Sequence, residues 1–219
     1  MSPTADSYKE KWRLAWQYPL FRKKIIIGFA LVLIILGFFP LFFQTIEARQ
    51  GALLHDWLLI RLPSYDVSIF VFIIIWATTF LILLRSVQEP EIFLQFVWAY
   101  VFLCVLRMIT ITVVPLDPPD KLLPMVDPIS NAFYGKKYIT KDLFFSGHTS
   151  TTFLNFLCLR KKQDRIFALI GTIIVGILLL VQHVHYTIDV IAAPFFTYII
   201  YWLAKKNVAN VKMISDMGT

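Results

Sequence analysis

Residues Ile92–Val114 read IFLQFVWAYVFLCVLRMITITVV, a stretch that contains a single charged residue, Arg107. Its length suits a helix crossing the hydrocarbon core of a bilayer, which takes about 20 mostly apolar residues. The whole 219-residue chain is 58% hydrophobic and only 16% charged, with a mean hydropathy of +0.69. Soluble domains carry about 25% charged residues. We therefore predict an all-α, polytopic membrane protein.

Further apolar runs lie on both sides of this one, and together they predict six transmembrane helices. In chain order the runs are Ile25–Phe43, Val67–Leu84, Ile92–Val114, Leu143–Leu159, Ile166–Gln182 and Val190–Ala204. Length permits one domain, with no linker inside it.

The segment ahead of the first run has a different pattern. Trp12, Trp16 and Leu20 follow one another at spacings of four, with basic residues between them. This pattern is typical of an amphipathic helix that lies in the membrane interface. The predicted organisation is an interfacial segment over 1–24, a six-span domain over 25–206 and a cytoplasmic tail over 207–219.

Positive charge predicts the orientation. Basic clusters stand before the first run, between the fourth and fifth, and after the sixth. Six spans bring all three clusters to one side, which the positive-inside rule makes cytoplasmic, together with both termini. Membrane anchoring thus explains the net charge of +7, and we expect no nucleic-acid partner. An exception to this trend is a set of lysines on the opposite side: Lys121, Lys136, Lys137 and Lys141.

Ionisable residues inside or beside apolar runs are costly in a membrane and are candidates for function. The fourth run opens with Asp142-Leu-Phe-Phe-Ser-Gly-His148, and the fifth and sixth are joined by His183-Val-His185-Tyr-Thr-Ile-Asp189. On a helix, His185 and Asp189 would share a face, and a carboxylate on one imidazole nitrogen leaves the other free as a base or nucleophile. His183 would point elsewhere, which favours a structural role.

Arg107 is the third such group. It follows Glu91 by 16 residues, about 24 Å along a helix, which places it in the outer third of a core about 30 Å thick. The topology brings His148, His185 and Asp189 to a similar, extracytoplasmic level. A guanidinium beside two histidines suits a phosphate or a carboxylate.

The motif Ser146-Gly147-His148-Thr149, with Asp142 upstream, is followed by His185-Tyr186-Thr187-x-Asp189-Val190. This ordered pair resembles the sphingomyelin synthase family, a branch of the type 2 phosphatidic acid phosphatase superfamily, and the six-span plan resembles it from about Lys23 to Lys206.

The resemblance implies a catalytic role for four residues. His185 would attack the phosphorus of a lipid headgroup to form a phosphohistidine, and Asp189 would orient it. His148 would protonate the leaving lipid oxygen and later deprotonate the acceptor, and Asp142 would support His148 or the acceptor. It also implies a set of substrate-binding candidates: Arg107, Ser146, Gly147, Thr149, Tyr186, Lys141, Lys136 and Lys137.

Two departures from the family pattern concern the binding of phosphate. Thr140-Lys141 stands where the family has Cys-Gly, and Leu179 stands where the broader phosphatases carry an arginine six residues before the nucleophilic histidine. Other cations must then meet the phosphate charge, and Arg107 and the three lysines of the binding set are the candidates.

The leading hypothesis is a lipid phosphotransferase that moves a phosphocholine- or phosphoethanolamine-type headgroup from a glycerophospholipid to a lipid alcohol such as ceramide. The alternative is a phospholipid or lipid-phosphate hydrolase that uses water at the same site. A third hypothesis is a metal-dependent membrane protein or a transporter, because His148, His183, His185 and Asp189 are possible zinc ligands by type. The first two need no cofactor, and the oligomeric state stays open.

Overall fold

A computed structural model describes residues 5–125 and 139–211 of the chain. Within these ranges there are seven α-helices, one short 3-10 turn at Leu59–Arg61 and no β-strand. The prediction of an all-α protein is therefore confirmed for the described residues. The helices are α1 Ala5–Gln17, α2 Pro19–Ala48, α3 Ser68–Gln88, α4 Pro90–Val113, α5 Gly147–Cys158, α6 Lys162–Val181 and α7 Thr187–Val208.

Five of these helices, α2, α3, α4, α6 and α7, are long and apolar enough to cross a membrane, by length and composition. The predicted fourth span, Leu143–Leu159, forms only the 12-residue helix α5, about 18 Å long. It starts late because the Ser146 side chain caps it by accepting a hydrogen bond from the Thr149 amide, and residues 139–146 are not helical. The count of six spans stays a prediction.

The predicted interfacial segment 1–24 is divided between two helices. Within the described residues α1 ends at Gln17, and α2 already begins at Pro19 rather than at Ile25. Pro19 favours this start because amides in the first turn of a helix have no acceptor within the helix, so the missing N–H of proline costs nothing there. Tyr18, the residue before it, is extended. The placement of α1 in a membrane interface stays a prediction.

Helix α4 lies in the middle of the bundle and packs against α2, α3, α5 and α7. A core cluster joins α4 to α3, α5, α6 and α7, and it includes Ala99 and Leu103 of α4 and Leu154 of α5. Just before α5, Phe145 is fully buried and stacks on Phe196 of α7 with ring centroids 4.8 Å apart. The outward faces of the long helices carry exposed apolar side chains instead, as expected of surfaces that contact lipid.

Several ion pairs that link the ends of different helices lie at one end of the bundle, which we call the charged end. Arg85 at the end of α3 makes a bidentate pair with Asp164 at the start of α6, at 2.6 and 3.1 Å. Arg160 pairs with Glu91 at 2.5 Å, and Lys24 donates to the carbonyl of Asn207. The three basic clusters lie at this same end. The opposite end, where α6 stops and α5 and α7 begin, we call the loop end.

Candidate active site

Two histidines meet at the loop end. His148 is the second residue of α5, and His185 lies in the turn between α6 and α7. The structure brings their imidazole rings to a centroid separation of 6.4 Å, with the ring planes at 65°. A hydrogen bond from the Ser146 amide to the Asp189 carbonyl, 3.1 Å, ties the start of α5 to the start of α7. The two motifs are thus held as one unit.

His185 contacts Asp189 as the sequence predicted, but not on a helical face. His185 Nδ1 lies 3.3 Å from Asp189 Oδ2, and both side chains are buried. Because α7 begins only at Thr187, His185 precedes the helix. The Asp189 carboxylate reaches the His185 ring by folding back over the first turn of α7. There the carboxylate also accepts a hydrogen bond from the Tyr186 amide, at 3.1 Å, in a capping box. An Nδ1–H held this way leaves Nε2 with its lone pair.

Arg107 reaches the same place from α4. Its Nη2 donates to Asp142 Oδ1 at 2.6 Å, and its Nε donates to the Phe145 carbonyl at 3.1 Å. The guanidinium lies so close to Gly147 that a Cβ there would stand 2.1 Å from Nη1. Glycine is therefore required at 147 for this contact. Asp142 contacts Arg107, and its predicted support of His148 or of the acceptor stays a prediction.

Several residues predicted to bind substrate are occupied in structural contacts. Ser146 and Thr149 are buried in the capping turn of α5. The Tyr186 hydroxyl accepts from the Leu54 amide at 3.2 Å and donates to the Asp117 carbonyl at 2.9 Å. These contacts hold the loops against the start of α7.

Lys141 pairs with Asp117, with Nζ 2.8 Å from Oδ1. It also donates to the Arg49 carbonyl at 2.5 Å. The hydrogen bond from Lys141 is the main reason why the pKa of the Asp117 carboxyl is below its usual value. Lys136 and Lys137, the other two lysines of the predicted binding set, lie outside the described residues.

Asp56 is a residue that the sequence analysis missed. Its carboxylate accepts the Thr187 amide at 2.6 Å and the Thr187 hydroxyl at 2.9 Å, so it caps α7 next to His185. Burial raises the pKa of Asp56, but the hydrogen bonds from Thr187, Leu59 and Leu58 outweigh burial and lower it. The one available signal was a carboxylate set among apolar residues in the short segment between the first two runs, Leu53-Leu54-His55-Asp56-Trp57-Leu58-Leu59.

His183 does not join the site. Its left-handed backbone, with φ of 56°, follows the end of α6, and its ring nitrogens face the carbonyls of Asp120 at 3.0 Å and Leu62 at 3.2 Å. The predicted structural role fits these contacts. The zinc-ligand set that included His183 is not assembled, and residues 5–125 and 139–211 hold no group of three or more His, Cys, Asp or Glu side chains arranged for a metal ion.

A cavity of about 590 Å³ opens beside the two histidines. Arg107, Asp142, Gly147, His148 and His185 line one end of it. The rest of the lining is largely apolar and comes mostly from α2, α3 and α4. The polar end can hold a phosphate between a cation and two imidazoles, and the apolar part can hold hydrocarbon.

Residues 141–206 match the family model described as PAP2 superfamily C-terminal, a range that includes both histidine motifs. No curated protein matches the chain. The family match supports the type 2 phosphatidic acid phosphatase superfamily, whose members are phosphatases and phosphotransferases. It is consistent with a membrane protein that processes lipid phosphates.

Proposed function

We propose that this protein is a lipid phosphotransferase of the sphingomyelin synthase type. It transfers a phosphorylated headgroup from a glycerophospholipid to a lipid alcohol such as ceramide. The observation that carries the proposal is the pair of imidazoles 6.4 Å apart, one of them held by a buried carboxylate, at the polar end of an apolar cavity. A site that only bound lipid would not need this acid–base arrangement.

In the first half-reaction, Nε2 of His185 attacks the phosphorus and the bond from phosphorus to the diacylglycerol oxygen breaks. The His148 imidazolium gives its proton to that oxygen, so diacylglycerol leaves as a neutral alcohol. Asp189 stabilises the positive charge that develops on the His185 ring, and Arg107 stabilises the charge on the phosphoryl oxygens.

In the second half-reaction, His148 is neutral and takes the proton of the acceptor hydroxyl. The acceptor oxygen attacks the phosphohistidine, the phosphorus–nitrogen bond breaks, and His185 is regenerated. Splitting one displacement into two lets the same imidazole act first as acid and then as base. If water takes the acceptor's place, the same steps release a phosphorylated headgroup, which is the hydrolase alternative.

The proposal includes a topology. Helix α5, together with residues 139–146 ahead of it, completes a sixth crossing, and α1 lies in the interface at the charged end. The charged end and both termini face the cytoplasm, and the histidines face the periplasm or lumen. Support comes from the three basic clusters that share the charged end.

The test is a product analysis with purified protein in mixed phospholipids, with and without ceramide. We expect a new phosphosphingolipid and an equal amount of diacylglycerol, and loss of both in His185→Ala and His148→Ala. His55→Ala is the matched control, because His55 is exposed outside the site. Free phosphorylated headgroup in place of the new lipid would establish hydrolysis. Full turnover in either site variant would refute the mechanism.

A labelled donor tests the intermediate directly. A donor with a radioactive phosphate should label the enzyme in the absence of acceptor, with the acid-labile, base-stable behaviour of a phosphoramidate. His185→Ala should take up no label. Label that persists in this variant would show that another residue is the nucleophile.

A further inference from the structure

The cavity beside the histidines is long as well as apolar. Along α4, its lining extends from Arg107 to Phe93, and along α2 from Phe43 to Phe29. Each pair is 14 residues apart, which is about 21 Å at 1.5 Å per residue. Half of a hydrocarbon core about 30 Å thick is only about 15 Å. The cavity therefore extends from the loop end past the middle of the bundle towards the charged end.

The long side of the cavity opens towards the surrounding membrane between α2 and α3. Phe29 of α2, and Trp76 and Leu83 of α3, line the cavity and are nevertheless exposed, by 51%, 44% and 46%. In a bilayer such an opening faces acyl chains rather than water. The occupant that fits an apolar, laterally open cavity of this length is a hydrocarbon chain.

The far end of the cavity is braced by the N-terminal helix. Phe93 lines the cavity, and its ring packs against Trp12 of α1 with centroids 5.7 Å apart. Trp12 Nε1 donates to the Val87 carbonyl at 2.8 Å, and Lys11 pairs with Glu89 at 2.7 Å. These two contacts fix α1 across the ends of α3 and α4, so Phe93 cannot easily move away from the cavity.

We propose that one hydrocarbon chain of the lipid substrate lies in this cavity, and that Phe93, backed by Trp12, sets the longest chain that fits. Phe93 is then a specificity-determining residue about 21 Å along α4 from the phosphate end. Helix α1 takes part in substrate selection through Trp12. The inference rests on the proposed lipid-phosphate function of the same site.

A competition assay tests the length limit. Donor lipids that share one headgroup and differ in chain length are mixed, and mass spectrometry follows the depletion of each. In the wild type, kcat/KM should vary little with chain length until the chain meets Phe93, because a methylene that moves from lipid into an apolar cavity gains little free energy. Beyond that length the preference should fall.

Two opposite substitutions give opposite shifts. Phe93→Ala should increase the longest chain length that is turned over efficiently, and Phe93→Trp should decrease it. Phe80→Ala is the matched control, because Phe80 is on the outer face of α3 with 69% exposure and should leave the profile unchanged. An unchanged profile in both Phe93 variants, with turnover still dependent on His185, would overturn the length limit and leave the proposed function standing.

A binding measurement separates the two proposals if no lipid is turned over. His185→Ala protein is mixed with a phospholipid that carries a photoreactive diazirine at the end of one chain. Cross-links should map to the peptide that contains Phe93 or to α1, whether or not the protein catalyses transfer. Cross-links confined to the outer faces of the helices would overturn the inference.

Discussion

Gly147→Ala tests the most crowded contact of the candidate site. The new Cβ would lie 2.1 Å from Arg107 Nη1 and 2.6 Å from Cζ, well inside van der Waals contact. The Gly147 backbone is helical, so alanine itself is acceptable there and only the guanidinium obstructs it. Arg107 must then withdraw from Asp142 and from the Phe145 carbonyl.

The cost follows from the bonds that are lost. A hydrogen bond to a charged group contributes about 1.5–3 kcal/mol, so Gly147→Ala, which displaces two of them, should lower the free energy of unfolding by at least about that amount. Turnover should fall as well, because the guanidinium leaves the phosphate position. Equilibrium unfolding in detergent measures the first effect, and the lipid product assay measures the second.

A double-mutant cycle isolates the cause. In an Arg107→Ala background the clash is gone, and Gly147→Ala should change the unfolding free energy by less than about 0.5 kcal/mol. An interaction energy of at least about 1 kcal/mol between positions 107 and 147 would establish the contact. If Gly147→Ala is equally destabilising in both backgrounds, the guanidinium does not lie on Gly147 and the description of the phosphate end is wrong.

Two further predictions concern the loop end. Asp56→Asn should lower the free energy of unfolding at neutral pH by about 1–2 kcal/mol, because Asn keeps one acceptor oxygen for Thr187 and places an NH2 group where the second acceptor was. Turnover should fall as well. The folded-state pKa of Asp56 is lowered, so its contribution is present above its unfolded pKa of about 3.9 and is lost as the pH falls through the folded value. As the pH falls, the free energy of unfolding should therefore decrease less in Asp56→Asn than in the wild type. The same pH dependence in both proteins would contradict this. A cysteine that replaces Lys121, which is exposed at the loop end, should react with an impermeant reagent added from outside. A cysteine that replaces Lys162, which is exposed at the charged end, should not react. The reverse pattern would invert the proposed orientation.

The part of the site that lies in long apolar helices was predictable from the sequence. The depth of Arg107 follows from residue counting along α4, because a helix rises by a fixed 1.5 Å per residue. The expectation that His148 and His185 lie at one end followed from the predicted order of six spans, a count that stays a prediction. The charges used to predict the topology are thus independent of the charges that form the candidate site.

The contacts that orient the site were not predictable, because they depend on groups far apart in the sequence. Asp56 caps α7 across 131 positions, and no local pattern links it to Thr187. His185 was expected on a helix, but the capping box starts α7 two residues later. The late start of α5 has the same kind of cause, since the predicted run began at Leu143 and the Ser146 cap starts the helix only at Gly147. Capping replaces an expected helical turn at both motifs.

The charge balance of the site favours one class of donor. Leu179, which stands where the broader phosphatases carry an arginine, is fully buried with Val71 and Val175 in an apolar cluster. Among the described residues, Arg107 is the permanently charged cation that lines the cavity, and Asp142 already neutralises part of its charge, so the His148 imidazolium of the proposed mechanism leaves a net positive charge of about one at the phosphate. Such a site suits a phosphodiester, which carries one negative charge, better than a phosphomonoester, which carries about 1.5–2.

We therefore expect phosphatidylcholine or phosphatidylethanolamine to exceed phosphatidate in kcat/KM by at least about tenfold at neutral pH, since an unmatched charge in an apolar site is costly and 1.4 kcal/mol is a factor of ten. Parallel assays with matched acyl chains measure this ratio and exclude an effect of chain fit. Asp142→Asn should lower the ratio of kcat/KM for the diesters to kcat/KM for phosphatidate, because the full charge of Arg107 then faces the substrate. If phosphatidate is turned over as fast as the diesters, this account of the charge at the phosphate is wrong. A second cation would then have to contact the phosphate, and Lys136 and Lys137 are the candidates.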